Sequence, residues 1–232
     1  RHTRSFHVTG VQTCALPISD GYAKAAAAGY PLASLKIARM LEGRRIPARR
    51  DGGALEHYLV AARAGIAEAQ FDAGRLLLAA GTPAQARAAI DWIEKAAAQR
   101  FAPARTMLED AESQYRFATQ LEPQDAVPWL RRAAARNHPR ARMALAIALE
   151  EGRGTAPNPA EAAQWYQRSA AVDDPEAHFR LGLLYEQGRG VPADAVRARD
   201  HIARAAALGH VQARERMESM LSRGFPAPRS EE

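Results

Sequence analysis

Five of the seven histidines, His57, His138, His178, His201 and His210, have the widest chemical range in this chain, as metal ligands or proton carriers. No two of them stand at metal-ligand spacing with a cysteine or carboxylate to complete a set, so no metal site is read from them. Glu150 with Glu151, and Asp173 with Asp174, are paired carboxylates. Neighbours in sequence diverge around a helix or share a turn, so both pairs read as solvated groups rather than as a converging acid and base. No serine sits in a nucleophile elbow, and Gly188-Arg189-Gly190 runs into Val-Pro instead of the remaining glycine of a phosphate loop. The pattern calls for no catalytic residue, no metal and no cofactor, and the chain reads as a non-enzyme.

The elements that position these residues are set by a repeat. Ala33, Ala69, Ala104, Ala141, Ala177 and Ala213 follow one another at steps of 36, 35, 37, 36 and 36. A period of that size signals stacked helical units, which present an extended surface rather than enclosing a substrate. Each of these alanines opens an amphipathic helix A; from Ala177 the stripe continues through Leu181, Leu184 and Tyr185. In the second helix, B, Trp92, Trp129 and Trp165 share one register with His57 and His201, always three residues after an alanine. The tryptophans read as buried wedges between helices. From that register to the next anchor alanine the count is always 12, as in 57 to 69 and 201 to 213, so the joint from B to the next A is rigid and insertions fall between A and B. The histidines then have positional explanations: two replace a tryptophan, His138 and His210 occupy the turn before an anchor, and His178 follows one.

The stretch from Leu181 to Asp194, LGLLYEQGRGVPAD, continued by Ala198 and by Arg204 to His210, RAAALGH, resembles a Sel1-like repeat. The resemblance implies an all-α solenoid of stacked antiparallel helix pairs, similar to tetratricopeptide arrays, over residues 20–223. Units start near residues 29, 65, 100, 137 and 173 after a partial first unit, and a capping helix covers 210–222. Gly182 and Gly74, with Ala38 and Ala146 as near equivalents, flank the apolar stripe where the facing helix must come close. Gly188 and Gly190, like Gly152 and Gly154, end helix A, and Asp194 and Asn158 stand where an N-cap starts helix B. The unit from 100 to 136 departs from the pattern: Glu109 replaces the small flank residue, Glu112 falls on the stripe, and helix A there either runs on to Gln120 or turns its stripe.

Residues 1–18 share none of this periodicity. Back-translated, Arg1 to Arg4 and Val8 to Ile18 resemble the arms of a sequencing-library adapter, which implies a non-native, disordered segment and a natural N-terminus lying upstream. Cys14, the only cysteine, belongs to it, so no disulfide is expected and the compartment stays open, with the periplasm or envelope slightly ahead of the cytoplasm. Without Arg1 and Arg4 the net charge of +6 falls to +4, too modest to call for nucleic acid. Aromatic residues make up 6% of the chain, which suits thin helix pairs better than a wide interior, and no apolar run is long enough to span a membrane. Residues 224–232 have little to bury and are expected to be mobile.

In similar arrays helix A lines the concave side. The residue after each anchor, Ser34, Gln70, Arg105, Arg142, His178 or Arg214, joined by Arg180 and Arg216, is therefore expected to form a partly basic ladder. Its partner-binding residues would be Arg105, Arg142, His178, Arg180 and Arg214, receiving a protein or peptide segment with acidic groups. The function expected is a non-catalytic scaffold or adaptor. The alternative is a cell-envelope factor engaging an anionic polysaccharide or its export machinery.

Overall fold

Six residues of this chain take a left-handed backbone just before the helix that carries an anchor alanine: Gly29, Gly65, Arg100, Asn137, Asp173 and Gly209, with φ between 59° and 98°. Each ends the turn after a helix B, where the left-handed residue's own amide and the amide that follows it bond back onto the helix carbonyls. This conserved geometry within the chain explains the constant spacing of the joint.

The computed structural model describes residues 15–44 and 53–222. These form thirteen α-helices and, among the described residues, no strand. In order they are α1 (Ala15–Ala27), α2 (Pro31–Glu42), α3 (Ala54–Arg63), α4 (Ala67–Ala80), α5 (Pro83–Ala98), α6 (Ala102–Glu109), α7 (Ala111–Gln120), α8 (Pro123–Ala135), α9 (Pro139–Glu151), α10 (Pro159–Ala170), α11 (Pro175–Gln187), α12 (Ala195–Ala207) and α13 (Val211–Ser222). The fold is an all-α solenoid of helix pairs. The chain divides between Leu108 and Glu109 into two compact units. In the first unit α2 packs on α3, α3 on α4, and α4 on α5. In the second, the chain of contacts runs α7, α8, α9, α10, α11, α12, α13.

The helices start where their sequences say they should. Proline occupies the first turn of α2, α5, α8, α9, α10 and α11, where its missing N–H costs nothing. Asp174 accepts from the Ala177 amide at 3.1 Å, and Asn158 and Asp194 cap α10 and α12. His138 and His210 turn out to be N-caps as well: the Nδ1 of each accepts from the amide of Ala141 or Ala213 at 3.1 Å. The anchor alanines thus stand two residues inside helix A, and all are buried.

Two corrections concern register. Helix A beside α8 is α7, not the helix carrying Ala104. Asp110 leaves the helical region (φ −73°, ψ 127°) and accepts from the Ser113 amide at 2.7 Å, starting α7 as Asp174 starts α11. Ser113 therefore holds the anchor place and Ala118 the small flank place, while Ala104 lies on an additional short helix, α6. The 12-residue joint to Ala104 is kept because α6 enters its turn as any helix A would. Second, the deepest wedge of helix B is the residue after the tryptophan register: Tyr58, Ile93, Tyr166 and Ile202 are almost fully buried. Trp92 and Trp165 are only half-buried, and Trp129 is buried through its edge-on contact with Phe117, centroids 5.1 Å apart. One residue turns about 100° around a helix, which carries the next side chain into the slot facing helix A.

The paired glycines do two separate jobs. Gly188 (φ 64°) is the left-handed C-cap of α11. Gly190 (φ 72°) lies so close to the start of α10 that an added Cβ would come within 2.4 Å of the Ala160 nitrogen, and Gly154 meets Pro123 in the same way. Helix A loops are thus seated on the first turn of the preceding helix B. Helix α1 begins inside the segment read as adapter-derived; residues 1–14, 45–52 and 223–232, the last including the segment 224–232 expected to be mobile, lie outside the described residues. Helix α13 falls within residues 210–222, where a capping helix is expected; its Ala213, Met217 and Met220 are buried and its Glu215 and Glu218 exposed.

Candidate interaction surface

The residue after each anchor does not form a ladder of free side chains. Ser34 and Gln70 are buried; Gln70 donates to the Ala62 carbonyl at 3.2 Å and accepts from Gln99 at 2.8 Å. Arg142 donates to the Arg168 carbonyl at 3.2 Å, and Arg214 to that of Ala206 at 3.3 Å. All three acceptors lie in the last turn of a helix B, whose final carbonyls have no partner within the helix and carry the negative end of its dipole. This register is where helix A caps its neighbour.

His178 is buried and meets His201 with 2.9 Å between their Nδ1 atoms, its Nε2 lying 3.7 Å from Asp173. Burial holds both rings below the ordinary histidine value, the neighbouring imidazole adding to the effect on His201, so His178 is no basic rung near neutral pH. Arg180 contacts Glu176, Glu150 and Glu151; burial opposes its charge, but the bonds to Glu176 and Glu150 raise it well above the usual arginine range. Its charge is spent inside the molecule. Arg105 stands exposed on α6, in the first unit, whereas Arg142 and Arg214 belong to the second.

A recurring staple went unread in the sequence. Tyr166 of α10 donates to Glu150 of α9 at 2.7 Å, and Arg180 of α11 donates to the same carboxylate at 3.2 Å. The first unit repeats it: Tyr58 donates to Glu42 at 2.8 Å, and Arg75 completes the set. Glu186 and Arg216 form the third instance at 2.5 Å, with Ile202 in place of the tyrosine. Each staple ties the end of one helix A to its own helix B or to the next helix A, so Glu150 is not the solvated carboxylate its position beside Glu151 suggested. The signal was present: tyrosine follows glutamate by 16 residues in both full staples. The other suspected carboxylates are engaged too, Asp174 as a cap and Asp173 with Arg204 at 2.9 Å.

No group of three or more histidine, cysteine or acidic side chains that could hold a metal occurs among the described residues. No described helix is long and apolar enough to cross a membrane.

The family model described as Sel1 repeat matches residues 67–101, 122–138, 139–174 and 175–210, more than half of the chain. The chain belongs to the Sel1 repeat family. Its gap at 102–121 is the segment of α6 and α7, so the departure is one of an added helix rather than of a lost unit. Sel1 repeat proteins serve in general as protein–protein interaction scaffolds and are generally non-catalytic. Among solved structures, a Sel1 repeat protein from Oxalobacter formigenes is 25% identical, over 86% of this chain and 81% of that one, with a TM-score of 0.46. A protective antigen of uropathogenic Escherichia coli displaying an SLR fold is 24% identical, with a TM-score of 0.47. The match covers 90% of this chain, which spans only 45% of that antigen. Helicobacter pylori cysteine rich protein B is 22% identical over 47% of this chain and 84% of its own, with a TM-score of 0.40. No curated protein matches the chain.

Proposed function

We propose that this Sel1 repeat chain is a scaffold whose second unit binds a partner segment bearing carboxylates across α9, α11 and α13. The observation that supports the reading is the pair Arg142 and Arg214. Both stand one residue after an anchor, each is steadied by a helix B carbonyl, and neither meets a carboxylate among the described residues. A guanidinium held by one N–H retains others for a planar, charge-assisted bond. Arg180 and Arg216 of the same helices are neutralised internally and serve stacking instead. His178 lies between the two arginines in register and supplies shape rather than charge. Arg105 is a separate, exposed candidate on α6.

The test is a pull-down with the unsubstituted chain, repeated with R142E/R214E and with R105E. Loss of the captured partner from R142E/R214E, with helical circular dichroism kept, is the expected result; retained binding removes those residues. The polysaccharide reading has less to stand on, because Arg131, Arg180, Arg204 and Arg216 are all engaged by acidic groups of the chain. Titration with a uronate polymer at two salt concentrations decides it, absence of binding at low salt rejecting it.

A further inference from the structure

The opposite register of the repeat, on helix B, carries a second and separate surface in the second unit. Arg132 lies over the Trp129 ring with its guanidinium carbon 4.5 Å from the ring centroid, and Arg168 lies over Trp165 at 4.4 Å. Both arginines are exposed and neither contacts a carboxylate among the described residues. A guanidinium stacked on an indole keeps its N–H edge turned outward and loses little freedom on binding, which is the arrangement that receives a carboxylate through parallel hydrogen bonds. The two stacks are held in register with each other. Arg131 of α8 donates both terminal nitrogens to Glu161 of α10, one of them at 3.0 Å, and Glu161 accepts the Trp165 Nε1–H at 3.3 Å.

The third unit in the row shows which chemistry fits. Arg204, 36 residues after Arg168 as Arg168 is 36 after Arg132, has His201 in place of the tryptophan. There the chain itself supplies the occupant: Arg204 donates Nε and a terminal nitrogen to one Asp173 oxygen at 3.1 and 2.9 Å. The same repeat position is satisfied by a carboxylate where one is available and is left open in the two units that carry tryptophan.

We propose that Arg132 on Trp129 and Arg168 on Trp165 are a pair of carboxylate seats on the helix B surface, fitted to an acidic peptide segment of a partner protein. Lys95 over Trp92, at 4.3 Å, is the first unit's version and lacks the planar fork.

The experiment titrates a fluorescein-labelled oligoglutamate peptide into the full chain, reading anisotropy and tryptophan emission together. Binding is expected to quench tryptophan emission and to weaken with salt. R132Q/R168Q is expected to weaken it by roughly tenfold or more, while R142E/R214E leaves the tryptophan response in place. Asp173→Asn, which keeps a side chain suited to the left-handed backbone there, frees Arg204 and is expected to tighten binding several-fold. If R132Q/R168Q does not fold, the Asp173→Asn gain decides the matter alone. An unchanged affinity in R132Q/R168Q, or no gain in Asp173→Asn, overturns the proposal. So does loss confined to R142E/R214E, which would locate binding on helix A and leave the function proposed above standing. A single-stranded oligothymidylate that binds more tightly and is lost in the same variants reassigns the surface to phosphates and also overturns it.

Discussion

Tyr166 and Glu150 are joined by a 2.7 Å hydrogen bond across a helix pair whose buried residues are otherwise alanine and leucine, with Ser169. The phenol is pushed up out of its usual range, first by burial and then by the glutamate, so it stays a donor throughout the accessible pH range. Tyr166→Phe keeps the ring's packing and removes only the hydroxyl. The expected cost is about 1–2 kcal/mol, since Glu150 retains Arg180 but loses one buried donor. Urea unfolding of the two proteins checks this; equal midpoints and slopes would show that the staple adds nothing.

At Gly182 an added Cβ would sit 2.7 Å from Ile202 Cγ1 and 3.0 Å from the Ala198 carbonyl oxygen. Alanine favours the helix by about 0.5–1 kcal/mol over glycine, while forcing two packed helices apart costs about 1–3 kcal/mol. Gly182→Ala is therefore expected to destabilise on balance. In combination with Ile202→Ala the loss should be less than the sum of the single losses, because the truncated side chain opens the space that the new methyl needs. Strict additivity in the double-mutant cycle would mean the close approach is not what requires glycine.

The His178 and His201 pair gives the second unit an acid-sensitive joint between α11 and α12. Burial is the larger cause of both lowered values, and around the rings Asp173 and Asp200 favour protonation while Arg204 and Arg197 oppose it. With folded values below the ordinary 6.5, the unfolded chain takes up protons first as the pH falls. Stability from this pair is thus fully present above about pH 6.5 and is lost as the pH drops from there toward the lowered folded values. His201→Gln removes one titrating ring, and the decline in urea midpoint between about pH 7.5 and pH 5.5 should become shallower. The same decline in both proteins would place the acid sensitivity elsewhere.

Composition and spacing alone determined that this chain is a helical repeat, where its units join and which positions stay small. Those properties are local: a left-handed turn residue, a proline or capping side chain and an alanine at the third helical position act within a few residues of one another, so they leave a regular trace. Gly182 was legible for the same reason, since a missing side chain marks a close approach. What only the tertiary structure decided is which polar groups are spent. Arg180 and Arg142 look alike in the sequence, yet one is enclosed by three carboxylates and the other rests on a single carbonyl, because all of these partners except Glu176, one turn away on α11 itself, come from other helices far along the chain. The place of α7 was hidden likewise. Asp110 could be a turn residue or a cap, and Ala104 fits the anchor pattern perfectly well; the packing of Phe117 against Trp129 settles which helix faces α8, and contacts of that kind depend on the whole pair being assembled.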